Sequence, residues 1–156
     1  MQPLSRNSIF YILFVAIETA LASFLFWIIF PIFRNLINNM GKEQDFQPWI
    51  GVIIVGDTFA LLCFYWARYR FFPIYTPFHS AVVGHLLQFT SRASFFIGGA
   101  LFSVIFFRHV PELDPLPPIG QILVKGFIVM SVLFALFCYS LELERLGKAI
   151  EVPPEA

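Results

Sequence analysis

From Ser8 to Phe33 the chain runs 26 residues with a single charged side chain, Glu18. A helix needs about 20 apolar residues to cross a hydrocarbon core of about 30 Å, so this stretch is long enough to span one. Three further stretches follow: Pro48 to Ala67 with Asp57 near its middle, a third between Phe78 and Phe107, and a fourth from about Ile119 to Leu141. Lipid offers backbone N–H and C=O groups no partners, so runs of this kind read as helices and not as open strands. Composition agrees: 58% of the 156 residues are hydrophobic and 13% charged, against about 45–50% and about 25% in soluble domains. The sequence therefore predicts an all-α integral membrane protein. Residues 1–156 form one domain of four transmembrane helices, at about 8–33, 48–67, 82–107 and 119–145, in an antiparallel bundle.

Ten Lys and Arg balance ten Asp and Glu, which excludes a polybasic nucleic-acid binder and an acidic disordered tail. Cys63 and Cys138 lie far apart in apolar runs, giving neither a disulfide framework nor a CxxC redox pair. The first stretch exceeds the apolar core of about 7–15 residues of a signal peptide and is followed by no clear small-x-small cleavage site, so it is expected to be retained. No G-x-x-x-x-G-K-[ST], H-E-x-x-H or G-x-S-x-G occurs. The length and four spans resemble those of the small glutathione-dependent membrane enzymes. Their Glu-Arg motif with a downstream Asn has no counterpart, since Glu144-Arg145 is followed by Leu146-Gly147-Lys148.

The connections are short. Arg34–Gln47 and Arg68–Pro77 are polar or aromatic, and Arg108–Pro118 holds four prolines that block helix continuation. An even number of spans puts both termini on one side. That side collects Arg6, Arg68, Arg70, Arg145 and Lys148, the other Arg34, Lys42 and Arg108, so the termini are expected in the cytoplasm. Lys125, about two turns inside the fourth helix, is expected to snorkel outward. Trp49 and Trp66 stand 17 residues apart, about 26 Å along a helix, the separation of two interfacial aromatic belts.

The third helix admits two readings. Ala93–Phe107 alone spans about 22 Å, whereas a start at Val82 gives about 39 Å, enough to cross with a tilt. The long form buries Arg92. The short form lets Arg92 snorkel and lays Phe78–Ser91 flat at the interface. At 100° per residue, His85, Gln88, Arg92, Gly99 and Ser103 fall within about 60° of one another, with Phe96 beside them, a stripe that favours the long form. Glu18, Asp57 and Arg92 then count to a similar depth, about 14–17 Å from the cytoplasmic boundary. The expectation is a buried charge cluster of Glu18, Asp57 and Arg92, with His85 about two turns nearer the cytoplasm. Two acids and one base leave a surplus negative charge, to be met by a proton or another cation. Each residue also has a plainer reading: hydrogen-bonded carboxyls that glue helices, Arg92 as counter-ion or interfacial anchor, His85 in packing. Bis-histidine haem requires two imidazoles at matched depth, and His79 and His109 flank the third helix near opposite interfaces. No His, Cys and acid set has metal-ligand spacing.

Small residues mark where backbones can approach. Ala16, Thr19, Ala20 and Ser23 share one face of the first helix, roughly opposite Glu18. Ser94 with Gly98 and Gly99 with Ser103 give small-xxx-small pairs in the third. Ser131, Ala135, Cys138 and Glu142 form a seam in the fourth, while Glu142, Glu144, Arg145 and Lys148 also read as its charged exit, Glu144 and Lys148 being an i,i+4 pair. Phenylalanine numbers 21, and Phe24, Phe26, Phe30, Phe102, Phe106 and Phe107 fall on leftover faces that suit lipid. Four helices can hardly cover both the small patch and the carboxylate of the first helix, which predicts protein neighbours. The expected function is therefore a non-catalytic accessory subunit of a larger complex, respiratory or photosynthetic in kind, in a bacterial inner or organelle membrane. Its partners would be other integral membrane subunits and lipid, with no cofactor beyond bound lipid. The alternatives are a small transporter or proton relay using Glu18, Asp57, Arg92 and His85, and a redox subunit contacting haem, quinone or pigment near His85 and Arg92.

Overall fold

The computed structural model describes residues 6–39, 48–74, 76, 78–108 and 118–151. Its elements are α1 (Arg6–Asn38), α2 (Pro48–Phe71), α3 (Ala81–Arg108) and α4 (Pro118–Glu151). Helices α1, α2 and α4 are long and apolar enough to cross a membrane, consistent with a multi-pass membrane protein. The described part of α3, which carries His85, Gln88 and Arg92, is not among those three. The turns expected at 40–47 and 109–117, the tail at 152–156, and the side chains of Phe106, Phe107 and Lys125 lie outside the described residues.

Helix α1 continues through Pro31 to Asn38, past the expected stop at Phe33. A proline forfeits one intrahelical hydrogen bond, whereas ending a helix in apolar surroundings strands several carbonyls, so the helix runs on. Its buried positions Tyr11, Glu18 and Leu25, and Ala22, Ile29 and Leu36, repeat at seven residues, the spacing that keeps one stripe turned to the same neighbours. Helix α4 likewise extends to Glu151, its last turns supported by Lys148 Nζ at 2.7 Å from Glu144 Oε1.

Helices α3 and α4 pack antiparallel along much of their length. Ser80 N donates to the Ile150 carbonyl at 3.0 Å, Ser91 Oγ donates to the Ser140 carbonyl at 2.6 Å, and the rings of Phe95 and Phe137 meet edge-on at 5.7 Å. The contact face of α3 is Gly84, Ser91 and Gly98, met by Ser140 and Gly147 of α4, again at seven-residue spacing. A Cβ on Gly84 would stand 2.7 Å from the Gly147 carbonyl oxygen, and one on Gly147 2.8 Å from that of Gly84. The two backbones thus touch directly, which only glycine at both positions permits. This buried stripe is the expected His85–Arg92–Gly99 line displaced by one residue, a rotation of about 100°. Gly98 belongs to the seam, Ser94 and Ser103 are half-buried, and the Cβ position of Gly99 has nothing within 4 Å.

Helices α1 and α2 meet through aromatic rings, Phe14 lying 5.6 Å from Phe64 and 5.2 Å from Phe72 between centroids. Two apolar layers join the helices. One contains Leu25, Ile29, Leu101, Phe102, Val132 and Leu136, with Ile54 of α2 packed against it. The other contains Ala22, Leu61, Ala135, Tyr139 and Leu143. Phe102 is buried in the first and Phe26 packs on it, a correction to their lipid-facing assignment. Gly98 leaves the room that the Leu136 side chain fills, a Cβ there standing 2.5 Å from Leu136 Cδ1, with Phe26 Cζ next at 3.4 Å. Phe24 and Phe30 are exposed as expected, and Trp49 and Trp66 stand exposed toward the two ends of α2.

Gly84→Ala and Gly147→Ala should each lower the unfolding free energy in detergent micelles by about 1–3 kcal/mol, the range for forcing a methyl group into a closed contact. Gly99→Ala, in open space, should leave stability unchanged or raise it by up to about 1 kcal/mol through helix propensity. An equal response at all three positions would mean that the α3 and α4 backbones do not meet at Gly84 and Gly147.

Candidate functional site

The largest fully buried side chain among the described residues is an arginine. Arg68, 1% exposed, lies three residues before the end of α2 and turns inward between α1 and α4. Its Nε donates to Glu18 Oε1 at 2.8 Å and its Nη1 pairs with Glu142 Oε1. Tyr11 Oη donates to the same Glu142 oxygen at 2.8 Å. The guanidinium carbon stands 5.8 Å from the Tyr11 ring centroid and 5.5 Å from that of Tyr65, within cation–π range. Tyr11 and Glu18 reach one point because seven residues are nearly two full helical turns.

Arginine suits this place because its planar fork fixes several N–H directions at once, while a lysine ammonium is a single point donor. Each charge carried into the middle of a membrane helix costs a few kcal/mol, so charges there are expected to pair. Two carboxylates on one guanidinium still leave one negative charge to be balanced. Two buried atoms of the cluster, Glu18 Oε2 and Arg68 Nη2, have no hydrogen-bond partner among the described residues.

The partner of Glu18 is therefore Arg68, where the sequence pointed to Arg92. Arg92 is exposed on α3 and interacts electrostatically with Glu144 of α4. Counting depth from Arg68 treats it as the membrane boundary, yet a long basic side chain near a helix end can turn inward to a carboxylate as readily as outward. His85 is also exposed, its Nε2 lying 3.1 Å from Glu151 Oε1, while Gln88 Nε2 donates to Glu151 Oε2 at 2.7 Å. Both tie the start of α3 to the end of α4, away from the Arg68 cluster. Asp57 is buried, but eleven residues before Arg68, about 16 Å along α2, and it joins none of these pairs.

Glu142 belongs to the cluster, although its neighbours suggested a solvated helix exit. The signal for it was its place in the seam with Ala135 and Cys138, all three of which are buried. Ser131, the first member, is half-buried and donates to its own Phe127 carbonyl at 2.8 Å. The small patch of α1 is not used inside the chain. Ala16, Thr19, Ala20 and Ser23 are exposed, the Thr19 hydroxyl alone accepting from Tyr139 Oη at 3.2 Å. Among the described residues no three His, Cys, Asp or Glu side chains gather closely enough to hold a metal ion. The arrangement pins three helices at one point.

Arg68→Met should cost about 3–5 kcal/mol of stability, since it leaves two buried carboxylates without their cation. Arg92→Met, at an exposed position, should stay within about 0.5 kcal/mol of the parent chain. Chemical unfolding in micelles measures both, and equal losses would place the buried cation elsewhere.

Comparison of the chain with protein families, curated proteins and solved structures found no match.

Proposed function

We propose that this chain is a non-catalytic subunit of a larger membrane assembly, and that the α1 face formed by Ala16, Thr19, Ala20 and Ser23 receives a helix of a partner membrane protein. The observation that carries this reading is the division of α1 into two faces. The face bearing Tyr11, Glu18, Leu25 and Ile29 is wholly buried against α2, α3 and α4, and the small-residue face remains exposed. Lipid is indifferent to side-chain size, whereas small residues along a membrane helix allow another backbone to come close and to pack by van der Waals contact. Bulky exposed neighbours, Phe24 and Trp27, stacked at 6.0 Å between ring centroids, form a rim beside that shallow strip.

On this reading α3 crosses the membrane as the fourth span, its 28 residues reaching about 42 Å, and both termini face the cytoplasm. The ion cluster suits a scaffold, because one guanidinium holds α1, α2 and α4 in fixed relation. The residues of the redox alternative, His85 beside Glu151 and Arg92 beside Glu144, stand on the exposed flank of α3.

Extraction of the full-length chain from its native membrane in mild detergent should give a defined particle well above the 17.9 kDa of one chain. Ala20→Leu combined with Ser23→Leu should release the chain from that particle while leaving its own unfolding transition in place. A particle of one to four chains, identical for parent and variant, would contradict the proposal, and a visible absorption band lost with His85→Ala would favour the redox alternative.

A further inference from the structure

Asp57 has no structural employment. It sits on the inward side of α2, 7% exposed, next to Thr58 at 4%, and Asp57 Oδ2 and Thr58 Oγ1 both lack hydrogen-bond partners among the described residues. One turn to one side, Ile54 packs on the layer of Leu25 and Leu136; one turn to the other, Leu61 packs in the layer of Ala22 and Ala135. The carboxyl thus lies between two apolar layers built from α1, α3 and α4. Trp49 and Trp66 stand eight and nine residues away, about 12 and 14 Å along the helix, so Asp57 occupies mid-height between the two aromatic ends of α2.

The buried Oδ2 of this carboxyl is satisfied in neither charge form among the described residues. Ionised, it needs donors that the flanking layers do not supply; protonated, its O–H needs an acceptor. A buried polar group without partners is costly in either form, which distinguishes Asp57 from the Glu18 and Glu142 carboxyls bound to Arg68. Apart from the charges clustered at the helix ends, the packed elements carry Glu18 of α1, Arg68 of α2, Arg92 of α3 and Glu142 of α4; Arg34 lies exposed near the end of α1, and the side chain of Lys125 of α4 lies outside the described residues. Glu18 and Glu142 pair with Arg68 about 16 Å along the helix, and Arg92 is exposed beside Glu144. Among the described residues of the two apolar layers, the titratable side chain is Tyr139, whose hydroxyl donates to Thr19. No three ligands gather for a metal ion among the described residues. The ligand that one isolated carboxyl can hold is a proton.

We infer that Asp57 is a proton-binding site in the membrane interior, which takes up and releases a proton independently of the Arg68 cluster. An ionisable residue inside a membrane helix is by default a functional candidate. This one carries a role beyond packing and does not depend on whether the α1 face receives a partner.

Dicyclohexylcarbodiimide, an apolar reagent that reacts with protonated carboxyls, reads the site directly. The carboxyl proton moves to a carbodiimide nitrogen, the carboxylate oxygen bonds to the central carbon, and the O-acylisourea rearranges to a stable N-acylurea with no atom lost. The full-length protein in vesicles, treated from acid to alkaline pH and mapped by peptide mass spectrometry, should carry one adduct, on Asp57. Its yield should fall at least tenfold as the pH rises. Glu18→Gln should leave the adduct unchanged, and Asp57→Glu should retain it if Asp57→Asn fails to fold. An adduct confined to Glu18 or Glu142, no adduct at any pH, or a yield on Asp57 that does not change with pH would each overturn the inference.

Discussion

Arg68 meets two carboxylates from two other helices, Glu18 of α1 at 2.8 Å and Glu142 of α4, and this three-way pairing fixes how the helices stand to one another. In water, apolar faces would find each other through the hydrophobic effect. In lipid that drive is largely absent, because a leucine gains little by exchanging an acyl chain for another side chain. Specific contacts then decide the arrangement: close backbone approach, ring packing and the few polar groups. The polar contact here is the one that reaches across three elements, and it admits little rotation of any of them. Turning α1 by one residue would carry Glu18 and Tyr11 away together, since both lie on the stripe that ends in Leu25.

The other two contacts are pairwise. Helices α3 and α4 share bare backbone at Gly84 and Gly147 and a serine pair at Ser91 and Ser140, so they behave as one unit. Helices α1 and α2 are joined by phenylalanine rings around Phe14. The ion cluster and the two apolar layers connect these pairs. The polar stripe of α3 runs beside the glycine seam, where His85 and Gln88 reach Glu151 and Arg92 faces the charge of Glu144. These flank contacts fix register at the end of the pair and leave the interior to the Arg68 cluster.

Much of this was legible in the residues, and its limits have physical causes. Unbroken apolar runs identified α1, α2 and α4, while the two faces of α1, the small patch and the side of Glu18, both read as protein-facing, and only the Glu18 face is buried within the chain. The seam of Ala135, Cys138 and Glu142 named the buried side of α4. The cation was not legible. Arg68 and Arg92 are both basic residues within a span or at its edge, and their reach of several ångströms in either direction makes depth along the helix a poor guide to pairing. The rotation of α3 was hidden for a related reason. On a largely apolar helix such as α3 a stripe of polar residues can lie at the centre of an interface or at its edge, and only the glycines opposite one another show which. Gly84 and Gly147 lie 63 residues apart, so their meeting is a tertiary fact that neither local spacing reveals.

Among the described buried polar groups, Glu18, Arg68 and Glu142 join helices, whereas Asp57 Oδ2 and Thr58 Oγ1 have no hydrogen-bond partner. Arg68 holds α1 and α4 through Glu18 and Glu142. A double-mutant cycle in micelles tests this most directly, pairing Arg68→Met with Glu18→Gln, Arg68→Met with Glu142→Gln, and Arg68→Met with Asp57→Asn as the distant control. The first two pairs should show coupling energies of about 0.5–3 kcal/mol, as residues in one network do, and the third should be additive within about 0.5 kcal/mol. Additivity of Arg68 with both glutamates would contradict the account.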